Sequence, residues 1–149
     1  MLLTNHAKER IAKRLSKRRK LDRIYSSLWA FLEKAHEIKV NEKVSIFTDK
    51  RKSLVCVKLN SKILTLEELK EEVSKINDAY ECVFFGDEKF AKITLPKKFL
   101  SEIEDGVYHF YISKEKKALY IGEVPPFLVI TLRPAKRHER GMERPDMSE

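Results

Sequence analysis

Nine cations crowd the first 23 residues of the chain: Lys8, Arg10, Lys13, Arg14, Lys17, Arg18, Arg19, Lys20 and Arg23, opposed by Glu9 and Asp22 alone, a net of +7. Residues 24–132 hold 17 cations and 17 anions, and residues 133–149 hold five and four, so nearly all of the overall +8 lies at the N-terminus. Lysine and arginine set against a polyanion displace its condensed counterions, which gives affinity that is independent of sequence and falls steeply with salt. An anionic membrane also attracts such a segment, but membrane helices pair their basic face with a large apolar one. The most basic stretch here, LSKRRKLDR, has two leucines. Phosphates are therefore the expected target, with Lys13, Arg14, Lys17, Arg18, Arg19, Lys20 and Arg23 as the contact residues; a solvated helix face without a partner is the bland alternative.

Other chemistries find little support. There is no Walker A sequence, no GxGxxG after a strand and no GxSxG elbow. His6, His36, His109 and His138 share no metal-ligand spacing with one another or with Cys56 and Cys82, so neither a metal nor a cofactor is expected. The two cysteines sit in separate apolar stretches and read as buried thiols, with a disulfide as the lesser reading. His109 alternates with Val107 and Tyr111 and reads as a sheet residue. His6, beside the basic run, has the position of an acid or base for RNA cleavage, though it lacks an evident partner. Exposed rings near the cations would stack on bases: Trp29 is a candidate, and Tyr108, Phe110 and Tyr111 are another as a sheet face, whereas Tyr25 reads as core.

The elements that must position these groups follow from periodicity. Residues 4–38 contain no Gly or Pro and carry helical spacing, with Thr4 or Asn5 as the cap. Ala7, Ile11 and Leu15 form one apolar stripe; Leu21, Ile24, Tyr25, Leu28, Phe31, Leu32 and Ala35 form a second, offset by about a quarter turn. Two helices with a corner near Ser16–Lys20 accommodate that offset and project Lys17–Lys20 outward. VSIFT (44–48) and SLVCVKL (53–59) flank the polar turn DKRK as a hairpin. TLEELKEEVSKI (65–76) is a short helix opened by a Thr65/Glu68 capping box. YECVFF (80–85) with KFAKITL (89–95), and VYHFYIS (107–113) with ALYIG (118–122), predict two more hairpins, and FLVITL (127–132) reads as a buried strand without alternation. Successive hairpins with few helices predict an α+β fold, N-terminal helices packed on a mostly antiparallel sheet. A single domain over residues 1–132, with its basic helical segment at 1–38, is expected to end in a loose tail at 133–149.

Composition sets the remaining bounds. With 149 residues the chain has length for one domain, and 42% hydrophobic residues support a core. Gln is absent and Asn occurs four times, while 36% of residues are charged, the composition of proteins from hot environments. No run approaches the ~20 apolar residues of a membrane span, and the N-terminus becomes charged too soon for a secretory segment, so a cytoplasmic location without membrane contact is expected.

Two stretches resemble known families. KITLPKKFLSEIEDGVYHFYISKEKKALYI (92–121) resembles the AbrB-like swapped-hairpin DNA-binding proteins in its strand ITLP (93–96), the pair Lys97 and Lys98, Gly106 before a strand and the closing ALYI (118–121). That resemblance implies an interlaced dimer with a basic face on DNA; the spacing from Pro96 to Gly106 is short for it, and the expected arginine after the proline strand is missing. LLTNHAKERIAKRL (2–15) is similar to the opening of RelE-like proteins, in which a His-Ala-x-x-Arg stretch begins a helical segment ahead of an antiparallel sheet; His6, Ala7 and Arg10 match. This second resemblance, over residues 2–60, implies RNA as the partner with cleavage added. Taken together the sequence predicts a nucleic-acid-binding protein, DNA ahead of RNA, of a thermophilic organism or its mobile element. The alternatives are a RelE-like ribonuclease and a protein-interaction module whose basic helix meets an acidic partner. A homodimer is left open, and an enzyme is the lesser reading.

Overall fold

The computed structural model describes residues 1–17, 20–76, 80–85, 89–94, 100–101, 103–115 and 117–140, without the side chains of 81–85 and 89–94. The chain folds as two compact units rather than one: residues 3–58 with 128–149, here the helical unit, and residues 1–2 with 59–127, the hairpin unit. Both units are built mainly from antiparallel strands, and the fold class is α+β.

The helical unit opens with Leu3, the second residue of strand β1 (Leu2–Leu3), which leads into helix α1 (Asn5–Ile11). The Thr4 hydroxyl accepts from the Ala7 N–H at 3.0 Å, satisfying one of the free donors of the first turn. The helix runs on into a π-helical segment, Ala12–Ser16, which closes on Lys17 in the left-handed region (φ 58°). A π turn takes in one extra residue and so rotates the helix face by about 100°. The first apolar stripe thus ends in a change of helical phase before the chain breaks at Lys17 and the second stripe begins on a separate helix. Helix α2 (Leu21–Lys34) then buries Leu21, Ile24, Tyr25, Leu28 and Phe31.

The helical segment stops four residues short of the expected 38. Ala35 adopts an extended ψ of 155°, and His36–Lys39 is strand β2, paired with β3 (Val44–Thr48) through Glu37↔Phe47 and Ile38↔Ile46. β3 pairs with β4 (Lys52–Lys58) around the DKRK turn, where Lys50 takes φ 77°. The five-stranded sheet is completed by β10 (Phe127–Pro134), in the order β1-β10-β4-β3-β2. β10 buries Val129 and Leu132 but leaves Ile130 exposed, so it is not covered along its whole length as expected.

Part of the segment expected as a loose tail is instead structured. Arg133 and Pro134 complete β10, Ala135 is buried, and Arg137–Arg140 form the short helix α4. Residues 141–149 lie outside the described residues.

The hairpin unit holds β5 (Lys62–Thr65), helix α3 (Leu66–Ser74), β6 (Tyr80–Phe85), β7 (Lys89–Thr94), β8 (Val107–Ser113) and β9 (Ala118–Gly122), in the sheet order β5-β8-β9-β6-β7. Every pairing is antiparallel except β6 with β9. Thr65 and Glu68 form the capping box, and Leu69, Val73 and Ile76 of the α3 region pack with Tyr80, Phe110, Leu119 and Ile121 as the core. Among the described residues no helix is long and apolar enough to cross a membrane.

Candidate nucleic-acid interface

The division into two units redistributes the charge. The helical unit carries 21 Lys and Arg against 10 Asp and Glu, a net of +11, while the hairpin unit carries 10 against 13, a net of −3. The positive excess is thus a property of one folding unit and extends well past the first 23 residues. A folding unit with so large an excess of one sign attracts polyanions in general.

Within this unit the sequence-predicted contact residues occupy three settings. Lys13 is exposed on the π-helical segment, and Lys17, exposed at the corner, donates from Nζ to the Lys13 carbonyl at 3.3 Å. Lys20 and Arg23 are exposed at the start of α2, where Lys20 is the N-cap position and lacks a side-chain cap. Arg14 is half-buried, and its Nη1 donates to the Leu132 carbonyl at 3.3 Å, which ties the basic segment to β10. Arg18 and Arg19 lie outside the described residues. The left-handed Lys17 turns the chain between the two helices, so the exposed cations on either side of it sit at a corner.

His6 is exposed, and its Nε2 shares a hydrogen bond of 3.1 Å with Thr131 Oγ1. It and Arg14 are therefore fastened to neighbouring residues of the same strand. His109 pairs with Ser61 through Nδ1 at 2.7 Å, in keeping with its reading as a sheet residue.

The expected stacking surfaces do not form. Phe110 is buried in the hairpin core, and Tyr108 packs against that core with its hydroxyl donating to the Glu104 carbonyl at 2.6 Å. Alternation puts Tyr111 on the opposite face from both, so the three rings cannot present one platform. Burial, and then the carboxylates of Glu123, Glu104 and Asp105, raise the Tyr108 phenol above its ordinary value. Trp29 is half-buried and tilted against the buried Tyr25, ring centroids 6.4 Å apart, with its Nε1 enclosed and unpartnered among the described residues. Cys56 is a free, buried thiol, and burial above all pushes it up to about 12, which keeps it from forming the reactive thiolate at neutral pH. The side chain of Cys82 lies outside the described residues. Among the described residues no three His, Cys, Asp or Glu side chains are grouped to hold a metal ion.

Sequence reasoning missed a buried polar cluster at the C-terminal end of β10. The Glu139 side chain is fully enclosed and accepts from Arg133 Nη1 and Nη2 (both 2.8 Å), Ser53 Oγ (2.7 Å) and the Lys136 backbone N–H (2.8 Å). Ser53 Oγ also lies 3.0 Å from Thr48 Oγ1. The Arg133 guanidinium above all, with the Lys136 and Ser53 donors, holds the Glu139 carboxyl down at about 2 against the cost of burial. The Ala135 N–H donates to the Arg51 carbonyl at 3.0 Å, which seats the start of the α4 region on the β3–β4 turn. The sequence signal was faint: a lone Glu six residues after Arg133 in a polar segment, its other partner 86 residues away.

No family model matches the chain, and no curated protein matches it.

Proposed function

We propose that the protein binds nucleic acid, DNA before RNA, through phosphate contacts made by Lys13, Arg14, Lys17, Arg18, Arg19, Lys20 and Arg23. The observation that carries this reading is the segregation of charge: +11 on the helical unit against −3 on the hairpin unit. Uniform charging for solubility would not divide along a folding boundary. The exposure of Lys13, Lys17, Lys20 and Arg23 at one corner supports it further. Phosphate contacts of this kind orient the protein and raise affinity without reading bases. The lack of a stacking platform among the described rings favours a duplex over a splayed single strand.

The test is binding of a fluorescent DNA duplex across a salt series, compared with a single-stranded oligonucleotide of equal length. A decline of log affinity with log salt at about −0.9 per phosphate contact is expected for B-DNA. No binding at low salt defeats the proposal and shifts the weight to an acidic protein partner.

A second reading, a RelE-like ribonuclease, is supported by His6 being held at Thr131 with Arg14 bonded one residue further along the same strand. In it His6 serves as the acid or base at the ribose-phosphate. RNA that stays intact after prolonged incubation with the protein eliminates this reading, while cleavage abolished by His6→Ala supports it.

A further inference from the structure

The C-terminal part of the helical unit carries a cationic cluster of its own. The DKRK turn contributes Lys50, Arg51 and Lys52, and the segment after β10 contributes Lys136, Arg137 and Arg140. Seating of the Ala135 N–H on the Arg51 carbonyl, and of Ser53 Oγ on Glu139, brings these two stretches together although more than 80 residues separate them in the chain. The carboxylates of the two stretches are both occupied within the protein. Asp49 Oδ1 accepts from the Arg51 and Lys52 backbone N–H groups (2.9 and 2.8 Å), and Glu139 is buried against Arg133. Six cations therefore lie on the two joined stretches, which include a short helix whose one acidic residue has been withdrawn into the interior. Lys50, Arg51, Lys136, Arg137 and Arg140 are exposed.

This cluster adjoins the N-terminal one. Arg14 bonds the Leu132 carbonyl, and α4 starts at Arg137, five residues further on. At no more than ~3.6 Å per residue that stretch spans at most ~18 Å, about five base-pair rises of B-DNA. A rigid polyanion lying at Arg14 is thus long enough to meet both clusters at once. We propose that Arg51, Lys136 and Arg137 form a second phosphate-binding cluster that engages the backbone of the same DNA duplex as the N-terminal corner. Buried Glu139 is the anchor that holds it in place. This inference rests on the phosphate-binding reading and names an additional site for it.

The experiment uses the full chain and a fluorescent DNA duplex of about 20 base pairs in a salt series. Three proteins are compared: the parent, an Arg51→Gln/Lys136→Gln/Arg137→Gln variant and a Lys13→Gln/Lys17→Gln/Lys20→Gln variant. All substitutions fall on exposed side chains and leave Arg133 and Glu139 in place; an unchanged thermal melt verifies the fold. The expected result is that each variant lowers the magnitude of the salt slope by about 3, at 0.9 per lost contact, and weakens binding at 0.1 M salt by tenfold or more. A parent-like slope and affinity for the Arg51/Lys136/Arg137 variant, with the N-terminal variant impaired, overturns the second cluster and leaves the first reading standing. Tighter binding of single-stranded RNA than of the duplex, lost in the same variant, overturns the duplex assignment. A parent that binds no nucleic acid at low salt overturns both readings.

Discussion

The helical and hairpin units are similar in architecture, each a five-stranded sheet with helices, yet they differ in how charge is deployed. In the hairpin unit the acidic residues Glu67, Glu68 and Glu71 lie exposed on α3, beside a capping box that uses one of them locally. In the helical unit most of the described basic groups are exposed, and the one carboxylate of α4 is hidden. Overall net charge is therefore a poor guide to this molecule: +8 is the sum of +11 and −3. Under the proposed reading, a polyanion is attracted to one unit and mildly repelled by the other.

The largest effect that would break this comparison is loss of the buried acid. Glu139→Ala removes the partner of Arg133 and strips Ser53 and the Lys136 N–H of their acceptor. Breaking a buried pair costs about 3 to 5 kcal/mol, and Arg133, 23% exposed, can recover some hydration, so the lower end is expected. Proton linkage gives a similar figure. A carboxyl held at about 2 rather than 4.5 contributes about 3 kcal/mol at neutral pH. Because its folded value is depressed, that contribution is complete above about pH 4.5 and fades as pH falls toward 2. Urea unfolding followed by the fluorescence of Trp29, the chain's one tryptophan, should show the parent losing stability between pH 4.5 and 2 and Glu139→Ala losing markedly less. An identical acid limb in both proteins contradicts the anchoring role.

The middle effect belongs to the hairpin unit and should leave binding alone. A Cβ on Gly122 would collide with the Tyr120 hydroxyl and stand 2.7 Å from its ring. Tyr120 is buried, and its hydroxyl donates to the Val124 carbonyl at 2.8 Å, so the ring has little room to yield. Gly122→Ala is expected to cost about 1 to 3 kcal/mol, as overpacking of a tight site does. Hydrogen exchange should register the loss in β8 and β9, with the duplex salt slope unchanged. A reduced slope would show that the hairpin unit takes part in binding.

Much of this fold was legible in local patterns. The DKRK turn between two apolar runs, the Thr65/Glu68 box and the period-two alternation of VYHFYIS each specify their own element within a few residues. The two-helix corner was legible too, because the offset of the apolar stripes demands a change of phase. The boundary at Ala35 was not: no Gly or Pro marks it, and Ile38 fits either a helical stripe or a strand facing Ile46. The proposed contact surface is local where it was read in sequence, at Lys13 to Arg23, and could not be read where it depends on chain return. Residues 24–132 sum to zero only because +3 on 24–58 cancels −3 on 59–127. That cancellation disappears once β10 is seen to rejoin the N-terminal sheet. Arg51 and Arg137 belong to one cluster for the same long-range reason, and no spacing in sequence reports it.

The smallest effect separates stability from binding at a single residue. Lys17 stands at φ 58°, a conformation in which a side chain costs about 1 kcal/mol and glycine costs nothing extra. Helix ends in this conformation are most often glycine. Lys17→Gly therefore relieves backbone strain at the corner while deleting one exposed cation and the 3.3 Å contact to the Lys13 carbonyl. If the side chain is kept there for the partner, the variant should melt at or slightly above the parent's temperature. Its salt slope should meanwhile shrink by about 0.9, with a several-fold weaker affinity at 0.1 M salt. Opposite signs for the two readouts are the diagnostic, because a variant that merely loosened the corner would lose both together. A stable variant with undiminished slope would remove Lys17 from the interface and confine the N-terminal contacts to its neighbours on either side of the corner.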